Sequence, residues 1–207
     1  MWAALGAGRR GAFLYGLVAG AVPNDRRPEP RRQAEAELEI VLGQRKLLQR
    51  LVPGLMHAFI FWGFLVLLPT ILMAMIAAVD GTAEFPWMGS QEWFGWLSDV
   101  FCVLVLVGVA TAVVIRKIVR PERFRGSHLG EADFILFMIA GVVTTLLFWH
   151  ASAYAAGLYP AAGPLSRAMS HAFAGSGNAD RFFLWAHLVF VFAFLWYIPR
   201  SKQPRAS

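Results

Sequence analysis

Three histidines stand where an imidazole is hard to accommodate: His57, His150 and His187 lie within or at the end of long apolar runs. In hydrocarbon an imidazole must hydrogen-bond, line a water path or bind a metal, so each is a candidate metal ligand. Pairs of such residues suit haem b, which takes one imidazole on each face of the porphyrin. The two come from helices at the same depth, and a hydrogen bond holds each ligand's other ring nitrogen. His128, in the segment GSHLGEADF, and His171, between the third and fourth runs, complete the five histidines of the chain.

Each candidate also has a plainer reading. A histidine near a membrane interface is commonly hydrated or bonded to a backbone carbonyl, which suits His128 and His171. Solvation is harder for His187, flanked by Leu184, Trp185, Leu188 and Val189. The aromatic residues of AFIFWGF and RFFLW would wall a porphyrin, although aromatic side chains at helical spacing usually pack or face lipid. Cys102 and the methionines of LMAMI read as apolar filler. Glu131 and Asp133 read as acidic residues favouring a helix N-terminus, with proton relay as the alternative.

The elements that position these residues are four apolar runs, at about residues 55–79, 93–115, 134–150 and 182–198, each near the ~20 residues of a bilayer-spanning helix. Hydrophobic residues make up 57% of the chain and charged residues 15%, with the charges gathered between the runs. The expected fold is therefore all-α, an integral membrane bundle of four full transmembrane helices with a short or truncated helix before them. Domain bounds follow as a short apolar segment over 1–23, a basic loop and helix over 24–53, a four-helix membrane domain over 54–200 and a tail over 201–207. Within the second, residues 34–50 read as one helix, acidic at its start and basic at its end. Residues 11–22 are too few for an ordinary span, and their basic-then-apolar order also resembles a signal peptide. Pro69 falls mid-span, where it should disturb the helix.

Charge sets the expected orientation. Nine Lys and Arg residues precede the first run, five (Arg116, Lys117, Arg120, Arg123, Arg125) follow the second and three (Arg200, Lys202, Arg205) close the chain, whereas residues 80–92 hold none. The basic N-terminal loop and the C-terminus are then cytoplasmic, in a bacterial inner membrane, and the net charge of +6 meets anionic lipid and not nucleic acid. In this orientation His57 lies near the cytoplasmic face, while His150 and His187 lie in the outer half within about one helical turn of each other. The outer pair is thus His150 with His187, or His171 in place of His150, and the inner pair is His57 with His128. One cysteine cannot hold an iron-sulfur cluster, so any cluster belongs to a partner.

The segments GQRKLL, VPGLMHAFIFWGFLVLL, GSHLGEADFILFMIAGVVTTLLF, SRAMSHAFAG and LVFVFAFLWYIPRSK, in this order, resemble the membrane domain of heterodisulfide-reductase-related iron-sulfur oxidoreductases. That domain is similar to the gamma subunit of respiratory nitrate reductase. The family includes membrane-bound dehydrogenases that pass electrons from electron-transfer flavoprotein to menaquinone. The resemblance covers about residues 40–202. It implies a cytochrome b-like bundle, one or two b haems with His57 as a ligand, quinone as substrate and a separate iron-sulfur oxidoreductase subunit as partner. Family members continue into a histidine-containing segment and cysteine-rich domains, and Gln203 and Pro204 stand where that segment would begin. The expected function is the membrane haem b part of a quinone-linked electron-transfer complex. The alternatives are a haem-free anchor for an iron-sulfur subunit and, with no inverted repeat in view, a small proton-linked transporter.

Overall fold

The computed structural model describes residues 11–13, 15–16, 19–20, 29–43, 47–80, 87–120 and 130–198. Residues 11–13, 15, 16 and 19 are helical and Gly20 is a turn, while residues 14, 17, 18, 21 and 22 of the proposed N-terminal helix lie outside the described residues, as does His128. Helix α1 spans Pro30–Glu37, with Pro30 in the first turn, where its missing N–H has no intrahelical partner to lose. It runs into one π-helical turn, Leu38–Leu42, closed by the Gly43 N–H on the Leu38 carbonyl at 3.0 Å. The single helix expected over 34–50 is therefore corrected. It begins earlier and ends at Gly43, where a side chain would press on the Glu39 carbonyl.

Four helices are long and apolar enough to cross a membrane: α2 (Leu51–Val79), α3 (Glu92–Val114, continued by a π turn Ile115–Val119), α4 (Gly130–Ala155) and α6 (Ala179–Tyr197). A short helix α5 (Pro164–Ser170) and a 3-10 turn (His171–Phe173) lie between the last two. This is a multi-pass membrane protein, and among its described residues there is no strand. Most spans run a few residues past the apolar runs, because backbone hydrogen bonding continues through polar flanks such as Gly130–Asp133 after hydrophobicity ends.

The spans form a closed ring in which α2 packs on α3, α3 on α4, α4 on α6 and α6 back on α2. The α4–α6 and α2–α3 seams are extensive; the α2–α6 seam is the thinnest. Small residues close the α2–α3 seam: a Cβ on Gly108 would lie 2.9 Å from the Met56 carbonyl, and one on Gly63 would overlap Val105. Leu67, Phe94, Cys102, Val105, Leu146 and Leu188 fill the interior. Trp62, Val103, Phe137 and Phe192 are exposed, as the lipid side of a bundle requires. Two hydroxyls inside the spans are satisfied within their own helices, Thr111 on the Val107 carbonyl at 2.8 Å and Ser152 on that of Phe148 at 2.7 Å.

Both ends are pinned. At the end where α2 begins and α6 finishes, here the basic end, Asp133 takes Arg116 Nε at 3.0 Å and also Lys117, so it joins α3 to α4 beyond favouring a helix N-terminus. At the opposite end, the loop end, the buried carboxylate of Asp99 accepts the backbone N–H of Ser166 at 2.9 Å and its hydroxyl at 2.6 Å, docking α5 onto α3. Gly95 and Gly163 leave room for this contact.

A histidine-lined cleft as candidate functional site

His187 owes its position to the closest approach in the α4–α6 seam. Gly141 on α4 lets the Phe190 ring of α6 lie where a Cβ would otherwise be. One turn earlier on α6, His187 Nδ1 then reaches the Val142 carbonyl at 2.9 Å. Thr145 Oγ1 lies 3.4 Å from the same nitrogen, but its proton goes to the Gly141 carbonyl at 2.6 Å. A carbonyl accepts only, so Nδ1 carries the proton and donates, and Nε2 of the neutral ring holds the lone pair. His187 is fully buried, and Nε2 has no hydrogen-bond partner. A histidine that ligates a metal shows this division of labour: one nitrogen is held by an outer partner and the other is left as a donor to the ion.

His187 helps to wall a cleft of about 300 Å³ between α2, α4 and α6, at the thin seam of the ring. Its wall is otherwise almost wholly apolar, with Phe61, Phe64, Leu67, Leu146 and Phe194 among the lining residues. Volume and polarity suit a largely apolar ligand anchored by one or two polar groups. His57, in the second turn of α2, lines the same cleft at its basic end and is exposed.

The other candidates lie apart from it. His150, near the end of α4, is fully buried with neither ring nitrogen hydrogen-bonded, and its ring lies 4.8 Å from that of Tyr159. Trp149 stands against both imidazoles, with ring centroids 5.3 Å from His150 and 6.2 Å from His187, nearly parallel to the latter. His150 does not line the cleft. The connection after α4 does fold back on the bundle through α5, yet His171 remains exposed. The structure thus brings His57 and His187 to one cleft and leaves His150 and His171 outside it. Among the described residues no three His, Cys, Asp or Glu side chains gather into a metal site.

Sequence reading missed three contributors. Asp99 is a charged residue inside an apolar run, a signal in its own right. Thr70, directly after Pro69, lines the cleft with its hydroxyl on the Leu67 carbonyl at 2.6 Å. The Val142 carbonyl, being backbone, has no sequence signal.

No family model matches the chain, and no solved structure matches it. Two relatives do. The chain is 28% identical over 177 residues to a protein named EtfAB:quinone oxidoreductase from Syntrophomonas wolfei, covering 77% of this chain and 24% of the relative. It is 25% identical over 175 residues to a probable iron-sulfur-binding oxidoreductase, FadF, of Bacillus subtilis, covering 79% of this chain and 24% of that protein. The chain thus spans about a quarter of the length of these relatives.

Proposed function

We propose that this chain is the membrane-embedded, haem b-bearing part of a quinone-linked electron-transfer complex. Its partners would be an iron-sulfur oxidoreductase unit and, at one remove, electron-transfer flavoprotein. The observation that carries the haem is His187: a fully buried imidazole whose Nδ1–H is spent on the Val142 carbonyl while Nε2 has no partner, in the wall of an apolar cleft. The relatives' names support the rest, one naming quinone as reactant and the other iron-sulfur binding.

In this reading the haem supplies one-electron carriage. His187 would hold the iron through Nε2, with the Val142 carbonyl keeping the ring from reorienting. The phenylalanines of the cleft keep water from its depth, and burial with the Nδ1 hydrogen bond sets the potential. His57 stands where the cleft nears the basic end, the side assigned to the cytoplasm and to the iron-sulfur partner; the membrane is the bacterial inner membrane, with both the N-terminal basic loop and the C-terminus cytoplasmic.

The test is a dithionite-reduced minus oxidised spectrum of the detergent-purified chain, with pyridine haemochrome quantification, for wild type and His187→Ala. The expected result is a b-type α band in wild type and its loss in His187→Ala. Well-folded wild-type protein without haem would overturn the haem reading in favour of an anchor for the iron-sulfur partner.

A further inference from the structure

We infer that the basic end carries a binding site for one anionic phospholipid, with its phosphate at Lys117 and Arg120 and the start of an acyl chain in a small pocket between α2, α3 and α4. The site shares no lining residue with the histidine-lined cleft and does not depend on what that cleft holds.

Helix α3 sets the depth of this site. With its π turn it runs 28 residues, Glu92–Val119. That is roughly 42 Å of rise against the ~30 Å of hydrocarbon it has to cross. Trp93 and Trp96 are exposed near its start, as residues of an interfacial belt are. Counted from Trp96, about 20 residues, or roughly 30 Å of helix, lead to Arg116. Arg116, Lys117 and Arg120 therefore emerge at the level of the lipid headgroups.

The backbone gathers these cations. Arg120 takes the left-handed conformation, φ 43°, that glycine adopts at helix ends without cost and that a residue with a Cβ resists. Its N–H bonds to the Ile115 carbonyl at 2.9 Å and its Nε to the Lys117 carbonyl at 2.8 Å, so the guanidinium folds back beside the end of α3. The other two guanidinium nitrogens have no partner among the described residues. Asp133 accepts from both Arg116, at 3.0 Å, and Lys117. Against three cations, the first turn of α4 supplies two carboxylates, Glu131 and Asp133, and the cluster stays positive. A phosphate offers the missing charge, and its oxygens suit guanidinium and ammonium donors.

The pocket beside this cluster holds about 210 Å³. Met56 of α2, Ala112 and Ile115 of α3 and Ala132 of α4 are among its lining residues, and Arg116 is the one charged side chain in its wall. An apolar pocket with a cationic lip matches a molecule that joins an anionic head to an apolar chain, at the depth where bilayer lipids present both. Inorganic phosphate would leave the pocket unfilled. The cation of a zwitterionic headgroup would be repelled by the cluster that its phosphate seeks, whereas phosphatidylglycerol carries the phosphate without a cation.

Phosphatidylglycerol and phosphatidylcholine with the same acyl chains are the probes. Each is titrated onto the full chain in a non-ionic detergent, and bound lipid is counted by native mass spectrometry for wild type, Arg120→Gln, Ala132→Phe and Arg31→Gln. Wild type should bind phosphatidylglycerol about tenfold or more tightly than phosphatidylcholine. Arg120→Gln should weaken phosphatidylglycerol by about fivefold, the effect of one basic residue near lipid headgroups, and leave phosphatidylcholine unchanged. Ala132→Phe fills the pocket without touching a charge and should also weaken phosphatidylglycerol. Arg31→Gln removes a charge on α1, where Arg31 pairs with Glu35, and should change neither lipid. Equal wild-type binding of the two lipids would overturn the site and leave the cluster to an acidic protein surface. Equal weakening by Arg31→Gln and Arg120→Gln would overturn it in favour of diffuse attraction to the basic end. Displacement of phosphatidylglycerol by inorganic phosphate, with Ala132→Phe indifferent, would reduce it to a bare anion site. The wild-type comparison of the two lipids decides even if a variant does not fold.

Discussion

Gly141→Ala tests the geometry that places His187. The new Cβ would overlap three atoms of the Phe190 ring, the farthest at 2.8 Å, where carbon atoms normally rest at about 3.5–4.0 Å. The seam must therefore open by roughly 1 Å or Phe190 must leave its rotamer. An opening of that size stretches the 2.9 Å bond from His187 Nδ1 to the Val142 carbonyl past hydrogen-bonding distance. Overpacking accounts for about 1–3 kcal/mol and the lost bond for about 1 more, so a destabilisation of about 2–4 kcal/mol is expected. The assay is thermal unfolding in mild detergent, with haem content measured beside it, for Gly141→Ala, Phe190→Ala and the double variant. Phe190→Ala removes the obstacle, so Gly141→Ala should cost much less in that background, with a coupling of about 1–3 kcal/mol. Additive effects of the two substitutions would refute the reasoning, because they would mean that Phe190 does not occupy the space above Gly141.

Asp99→Ala should destabilise by about 2–4 kcal/mol, because it strands the buried N–H and hydroxyl of Ser166; limited proteolysis within residues 156–178 should quicken, and unchanged cleavage would dissociate Asp99 from loop docking. His150→Leu, close to the imidazole in volume, removes two buried nitrogens that have no partner, so melting should be unchanged or raised by about 1 kcal/mol; a large loss of stability would refute the reading that these nitrogens go unsatisfied. Asp133→Asn weakens the tie from Arg116 and Lys117, a small loss that shrinks with salt, which melting at two ionic strengths measures. In a Cys102→Ser background, cysteines at Gln49 and Ser176 should be labelled by a membrane-impermeant maleimide from opposite faces of the membrane; labelling from the same face would contradict the four-span order.

The spans were legible because hydrophobicity alone defines them: the four apolar runs reappear as α2, α3, α4 and α6, most lengthened at their ends by backbone hydrogen bonds that hydropathy does not register. The ranking of the histidines was not. In sequence His150 ends one apolar run and His187 lies within another at a similar depth, and nothing in either run says which imidazole meets a cleft. What separates them is tertiary: His187 faces a backbone carbonyl that Gly141 makes reachable and lines a cleft, whereas His150 faces Tyr159 and Trp149. The folding-back of the loop was likewise invisible. It turns on Asp99, which reads as an isolated charge in an apolar run until Ser166, about 67 positions away, supplies both of its donors.

The position of the cleft follows from how the ring of helices closes. Three seams join consecutive spans, and in two of them a glycine admits a side chain of the neighbouring helix, Gly63 admitting Val105 and Gly141 admitting Phe190. The fourth seam, between α2 and α6, closes the ring between helices far apart in sequence and is the least packed. On its α2 side stands Pro69, which supplies no N–H to the Leu65 carbonyl and crowds it, so this part of α2 cannot keep regular helical hydrogen bonding. Thr70 follows at once and turns its hydroxyl back to the Leu67 carbonyl. The cleft thus opens beside the weakest stretch of α2 and against the best-anchored stretch of α4 and α6, where Val142 holds His187. One rigid wall bearing the donor and one yielding apolar wall suit a large planar group better than two rigid walls would, since the imidazole keeps its orientation while the opposite side accommodates the guest.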